Sequence, residues 1–521
     1  SRTGGGLAEP ARRRVARVNR SSGVLARHKL MSAQALEIVR SALEERRAWL
    51  VGGAVRDRLL GRPGADLDVV LDGDPGEGAR EIARAAKSAG TPAACFALSQ
   101  EFGAWRVVAR EGAWQVDVEA MRGDSLEADL RLRDFTVNAI AEPLAGGEPL
   151  DPLGGLGDLH AGRLRMASPD AFKDDPLRVL RLVRVAVELE LEPEAEAMAA
   201  ARAQAHRLEQ VSPERVFLEL QRIVASAQVL RGLELMSELG ATCVVLPELE
   251  AMRGIEQSRF HHRDVYGHTL EVLERAIELT ANPSDLVADS TPASGARYPE
   301  PIAALGEQQR MPVLALLAEP LADGMTRGQA LRWAALLHDA AKPATRSVRV
   351  FDRRVTFIGH DVQGAELVRS VFGRLRASVR LREHVAALVR HHLRLGFLVH
   401  EPQPLARGTV YDYLHACEPV EVDVTLLSVC DRLATRGAKA EQAIVAHIDL
   451  ARRMLDDALE WHRAGAPKPL LRGDQLADQL GIPLGPRVGE LLATLVRAQY
   501  TGEVRTPEEA VAFALRCARA G

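Results

Sequence analysis

Residues 48–71 read AWLVGGAVRDRLLGRPGADLDVVL. The run Ala48–Val51 is a short apolar strand. A paired glycine, Gly52-Gly53, leads into a short helix over Ala54–Leu60, and a turn rich in Gly and Pro leads into a second strand. That second strand carries Asp66 and Asp68. Strand side chains alternate between faces, so two aspartates two apart point the same way. Two carboxylates on one sheet face, beside a glycine pair at a helix entry, form a site suited to divalent cations and a polyphosphate. Hard oxygen ligands favour Mg²⁺, which keeps waters and bridges to substrate phosphates.

The chain of 521 residues exceeds one domain; three or four are expected. Composition is that of a globular protein, 47% hydrophobic and 26% charged, with aromatics scarce at 4%, a bias toward helices. The net charge of −4 excludes a global basic field, so contact with RNA would rest on local arginine clusters. The five cysteines are scattered and form neither a disulfide frame nor a Cys-x-x-Cys pair. A cytoplasmic setting fits. No apolar run approaches membrane-span length, so a membrane is not an expected partner. Oligomeric state has no sequence signal.

Past Asp68, residues 95–110 and 112–122 read as two strands around Glu111-Gly112, with Asp117 in an apolar frame on the second. A carboxylate on a half-buried strand is costly unless paired or near a cation, so Asp117 is the third carboxylate of the cluster. In two-metal nucleotidyl transfer, one ion lowers the pKa of the attacking hydroxyl and the other holds the leaving pyrophosphate.

Leu-Val-Gly-Gly-Ala-Val-Arg-Asp followed by Asp66-Leu67-Asp68 resembles the nucleotidyltransferase head of class II tRNA nucleotidyltransferases and bacterial poly(A) polymerases. The resemblance implies nucleotide contacts from Gly52, Gly53, Arg56 and Asp57, with Asp66, Asp68 and Asp117 catalytic. Residues 130–165 resemble the next two motifs of that family through Arg133, Asp134, Thr136 and Asn138, then Asp151, Gly154, Gly155 and Asp158. Leu132 stands where a first arginine is usual, with Arg131 the candidate replacement. The Arg133-Asp134 pair is associated in the family with choosing ribose. A structural turn is at least as good a reading of Asp151, Gly154, Gly155 and Asp158.

Residues 169–189, PDAFKDDPLRVLRLVRVAVEL, read as one helix resembling the family's Glu-Asp-x-x-Arg motif, with Asp174 in place of Glu. Asp175 and Arg178, three apart, would share a face. The resemblance implies that they replace a template base: arginine donates to cytosine acceptors, and aspartate accepts from an exocyclic amino group. Arg181 and Arg184 would extend that face toward phosphate. Ser212 and Arg215 open a further helix, with Ser212 as its cap. Only ten residues, GDSLEADLRL, separate Arg122 from Arg133. Family members that add the terminal adenosine carry a long flexible loop there, so the short spacing implies relatives that add only two cytidines.

The middle of the chain holds different chemistry: His268 in Gly-His-Thr, His338-Asp339 after an apolar helix, His360, His391-His392, and a distant Asp431. This order resembles the HD phosphohydrolase domain in its binuclear variant. Imidazole and carboxylate together suit a divalent transition metal.

The fold class expected is α+β: a small nucleotidyltransferase-fold sheet head followed by a mostly helical neck, HD domain and tail. The expected organisation is a disordered basic tail over 1–30, the head over 31–167, and a neck over 168–258 that binds the nucleotide base and RNA. An HD domain follows over 259–440, with an insertion near 281–327, and a tRNA-binding tail over 441–521. The function implied is template-independent addition of C residues, as CC or full CCA, to the tRNA 3′ end from CTP, with ATP as second nucleotide. Mg²⁺ would serve the head. A poly(A) polymerase of the same family, or a protein acting mainly through its HD domain on nucleotides or RNA ends, are the alternatives.

Overall fold

The computed structural model describes residues 24–62, 64, 66–99, 103–257, 262–280, 301–435 and 440–520. The chain divides into two compact units, one running to Val245 and the other from Leu246. Most of the basic tail and the Ser/Pro-rich stretch 281–300 lie outside the described residues.

The first unit is built on a six-stranded sheet: β1 (Ala48–Val51), β2 (Asp66–Leu71), β3 (Ala93–Ser99), β4 (Ala104–Ala109), β5 (Gln115–Ala120) and β6 (Ala141–Pro143). Its spatial order is β3-β4-β5-β2-β1-β6. Only β2 and β5 run parallel, and the helix Pro75–Ser88 lies in the crossover between them. Alternation sorts β2 cleanly. Leu67, Val69 and Leu71 join Val116, Val118 and Ile82 in a core covered by that helix and by Val24–Ala42. Val70, on the opposite face with Asp66 and Asp68, packs with Val51, Leu130 and Ala139.

Three expectations about elements change here. The segment 95–110 is not one strand but most of a β3–β4 hairpin; Gly103, at φ +60°, adopts the left-handed conformation at its turn. The helix Val24–Ala42 takes in the last residues of the segment expected to be a tail. The span 301–326, expected to be insertion, folds into the helices Pro301–Ala304 and Glu307–Leu317 and a short hairpin. Val313, Leu316 and Leu317 bury an apolar face there, and the Gln309 amide donates to the Arg452 carbonyl and Asp456.

The turn Asp151–Asp158 is a structural device. Asp151 accepts from the Gly155 and Leu156 N–H groups at 2.7 and 2.9 Å. Buried Asp158 accepts from the Thr136 hydroxyl at 2.7 Å and from Arg165 at 2.8 Å. A Cβ on Gly155 would lie 2.1 Å from the Thr136 carbonyl oxygen. Because the obstacle is backbone, Gly155→Ala is expected to destabilise the first unit by about 3 kcal/mol or more, seen as a lowered urea midpoint.

The second unit is helical. Its helices Val265–Thr280, Arg327–Leu337, His360–Arg374, Val379–His391 and Glu421–Ala434 surround a core that includes Trp333, Phe372, Leu388 and Leu427. Helices Gly473–Leu480, Pro486–Thr501 and Pro507–Ala520 pack a separate cluster around Leu476, Leu495 and Ala510. None of the described helices is long and apolar enough to cross a membrane.

Candidate functional site

Register builds the acidic face. Asp68 lies beside Val51 of β1 and beside Asp117 of β5, and Asp117 in turn faces Arg106 of β4. Asp66, Asp68, Asp117 and Glu119 therefore share one side of the sheet. Burial pushes the Asp68 carboxyl up to about 6; the Arg133 guanidinium pulls against this, while Asp117, Glu119 and Asp66 add repulsion. Burial and the nearby Asp117 also raise Asp66. Acids crowded this way hold their charge best beside a cation, and their oxygens are hard ligands, so Asp66 and Asp68 fit a divalent ion. Asp117 is held by a bidentate Arg106 ion pair, 2.7 Å for each bond.

Gly52 closes the site at the end of β1 with φ +71°. A Cβ there would lie 3.0 Å from Arg133 Nη1 and 3.2 Å from Asp68 Oδ2. The missing side chain is thus the space in which Arg133 meets Asp68. Arg133 is aimed by Asp129, a fully buried carboxylate that accepts from Arg133 Nη2 at 3.3 Å and from the Arg122 side chain and backbone at 3.1 Å. Sequence reasoning misses both Asp129 and Arg106. The only signal for Asp129 is its spacing of four from Arg133, and for Arg106 there is none short of the strand register.

Behind this mouth runs a chain of partners. Arg56 donates to Asp57 at 2.8 Å and to the Asn138 carbonyl oxygen. Asn138 donates to Asp134 at 2.9 Å, and Arg181 donates to the other Asp134 oxygen at 2.8 Å. Burial alone would raise Asp134, but Arg181, Asn138 and the Phe135 N–H overcome it and hold the carboxyl at about 2. The folded value lies below the ordinary 3.8, so the stabilisation is complete above about pH 4 and is lost as pH falls through about 2. Asp134→Asn is expected to remove about 2 kcal/mol of pH-dependent stability from that window, checked by urea unfolding at pH 2 to 6.

The expected single helix over 169–189 is two, Ala171–Asp174 and Arg178–Leu189. Pro176 excludes the helical conformation from the residue before it, and Asp175 is extended at φ −142°. Asp175 and Arg178 therefore do not share a continuous helix face. Asp175 caps Leu177 N–H at 3.1 Å and accepts from Arg215 at 2.6 Å. Arg178 donates to the carbonyls of Leu132 at 2.7 Å and Ala171 at 3.1 Å. The two are neighbours across the break: Arg178 is tied to Leu132, next to Arg133, and Asp175 to Arg215 of the helix Pro213–Ala225. Arg184 does not extend a phosphate-facing row: it is buried, paired to Glu219 at 2.5 Å and Glu188 at 3.0 Å. Ser212 precedes the helix Pro213–Ala225 without a side-chain capping bond.

In the second unit, two triplets converge: His268, His338 and Asp431, and Asp339, His360 and His392, the potential ligand atoms of each within 4.8 Å of one another. His268 Nε2 is 3.0 Å from Asp431, and His338 Nε2 and His360 Nε2 are 3.2 and 3.4 Å from Asp339. The Nδ1 atoms of His338, His360 and His392 lie 2.7–2.9 Å from the carbonyls of Ala335, Phe357 and Val389. That bond makes Nδ1 the protonated nitrogen and leaves the Nε2 lone pairs directed inward. Buried Nε2 atoms of His338 and His360 have no hydrogen-bond partner, an arrangement that fits metal ligation. Lys342, 2.6 Å from Asp339, carries no sequence signal of this role. His391 does not join: it accepts from Arg394 Nε at 2.8 Å, because adjacent positions on a helix point about 100° apart.

A sheet whose neighbouring strands β2 and β5 present four carboxylates, followed by helices and an HD-type histidine cluster, defines a nucleotidyltransferase-like head with an attached helical domain that carries two candidate metal-ligand triplets. Three family profiles match: the poly A polymerase head domain over residues 48–165, the probable RNA and SrmB-binding site of polymerase A over 190–253, and the HD domain over 313–436. Head domains of this kind and HD domains are metal-dependent as classes. The A-adding tRNA nucleotidyltransferase of Deinococcus radiodurans is 37% identical over 478 residues, covering 90% of this chain and 95% of that protein. The CC-adding tRNA nucleotidyltransferase of Thermus thermophilus is 32% identical, covering 90% and 93%. Among solved structures, the Thermotoga maritima CCA-adding enzyme complexed with tRNA superposes with a TM-score of 0.54 over 98% of both chains at 18% identity, a likeness of fold. The chain belongs to the tRNA nucleotidyltransferase family, with an HD domain in its second unit.

Proposed function

We propose that this chain is a template-independent enzyme that extends the 3′ end of tRNA with C residues from CTP. The observation that carries this is the Asp66–Asp68–Asp117 face beside Gly52 and Arg133. The tRNA 3′-hydroxyl attacks the α-phosphate of CTP, a new phosphodiester forms, and pyrophosphate leaves. Gly52 and Gly53 let the triphosphate approach the backbone, and Arg133, steadied by Asp129, meets its charge. Asp134 is fixed by Arg181 and Asn138 for ribose contact, and Asp175 and Arg178 border the base. Asp66 and Asp68 would hold Mg²⁺, which would supply charge neutralisation and a more acidic attacking hydroxyl. In the second unit, His268, His338, Asp339, His360, His392 and Asp431 would hold a divalent transition metal for phosphohydrolysis. The setting proposed is the cytoplasm.

Support for stopping at CC comes from the stretch between Arg122 and Arg133. It is occupied by the helix Leu126–Arg131, capped by Ser125 and locked by buried Asp129. The higher identity to the Deinococcus enzyme favours a second reading, addition of the terminal A. Purified protein given tRNA ending at its discriminator base, or in CC, with CTP and ATP separately and together, separates these. Growth by two C residues, unchanged by ATP, supports CC addition. Extension only of the CC-ended tRNA, by one A, supports A addition. Growth by three that ends in A means full CCA addition, and long A tails mean poly(A) polymerase. No growth on either tRNA overturns the proposal.

A further inference from the structure

Between Lys342 and His360 the second unit projects a hairpin, the strands Ser347–Val348 and Val355–Thr356 paired in antiparallel register. The loop is closed by Arg349 N–H to the Arg354 carbonyl and Arg353 N–H to the Arg349 carbonyl, both 2.9 Å. At its tip Val350 and Phe351 are 98% and 99% exposed. A fully bare phenylalanine is costly to keep in water and gains nothing for the fold. Around it Arg346, Arg349, Arg353 and Arg354 are all exposed, against one acid, Asp352, which accepts from the Arg354 N–H and lies 3.8 Å from Arg349.

The hairpin is anchored at the metal cluster. Phe357, at its base, offers its carbonyl to His360 Nδ1 at 2.7 Å, and its ring lies 5.3 Å from the Lys342 ammonium, which pairs with Asp339. The six residue steps from Phe357 to Phe351 reach at most about 20 Å. We propose that this hairpin is a docking element for single-stranded RNA that leads a strand toward the histidine cluster of the second unit. The charge matches a phosphate backbone, and the bare ring offers a stacking face that every base can use without sequence preference. The exposed apolar side chains here, Val348, Val350, Phe351 and Ile358, are interrupted by Arg349, Arg353 and Arg354, which favours an anionic partner with stacking bases over an uncharged apolar one.

The test uses the full chain with Phe351→Trp, read as the difference in fluorescence from the parent. A 12-residue oligoadenylate is expected to quench the added indole saturably, less so as salt rises. ATP at equal nucleotide concentration is expected to give no response. Adding Arg349→Ala and Arg353→Ala is expected to weaken the oligoadenylate response at least tenfold, while nucleotide addition by the head stays unchanged. No quenching by oligoadenylate overturns the proposal. So does a response equal to that of ATP, one that survives loss of both arginines, or one seen only with phosphatidylserine vesicles.

Discussion

Asp68→Ala is expected to lower nucleotide incorporation into tRNA at least about a thousandfold, some 4 kcal/mol of barrier, while the phosphohydrolysis proposed for the second unit is retained. The size follows from position. Asp68 lies centrally among the charged groups of the mouth: it borders Asp117 in register, Asp66 shares its strand face, and Arg133 approaches it through the gap left by Gly52. Burial already pushes its carboxyl up to about 6, so a neutral methyl relieves strain in the empty fold. Asp68→Ala is therefore expected to fold at least as stably as the parent while losing activity. Retained incorporation within tenfold of the parent, in a variant with unchanged unfolding, would remove this face from the chemistry.

The second large effect is expected from His338→Ala. His338 sits between the two triplets, its ring centroid 5.6 Å from that of His268 and 5.4 Å from that of His392. Its Nδ1 is committed to the Ala335 carbonyl, and its Nε2 is buried without a hydrogen-bond partner. Removing it takes one of the three candidate ligands from the His268–His338–Asp431 triplet. Phosphohydrolysis is expected to fall at least a hundredfold and bound transition metal, measured on the purified protein, to drop, while tRNA extension is kept. Unchanged metal content would show that the cluster is a packed histidine core.

What the sequence revealed depended on how local each signal was. The strand–Gly-Gly–helix–strand unit over 48–71 was legible because alternation and the glycine pair are local. The break at Asp175 was legible in principle from Pro176, but helical periodicity on both sides hid it. The β3–β4 turn gave only Gly103 as warning. Asp129 offered only its spacing from Arg133 and Arg106 offered nothing: what matters about them is burial and cross-strand register, which exist only after the sheet forms. His391 and His392 could not be separated by composition. Helical phase decides which of them faces the cluster, and that phase is set by packing of Val379–His391 on its neighbours.

The most direct measurement is a crystal structure of the chain with CTP and Mn²⁺, read by its anomalous difference map. The account predicts manganese on the carboxylates of Asp66 and Asp68, with the CTP triphosphate over Gly52 and Gly53 and within reach of Arg133. Manganese confined to the histidine cluster, with CTP bound there or elsewhere than on the face formed by β2 and β5, would contradict it.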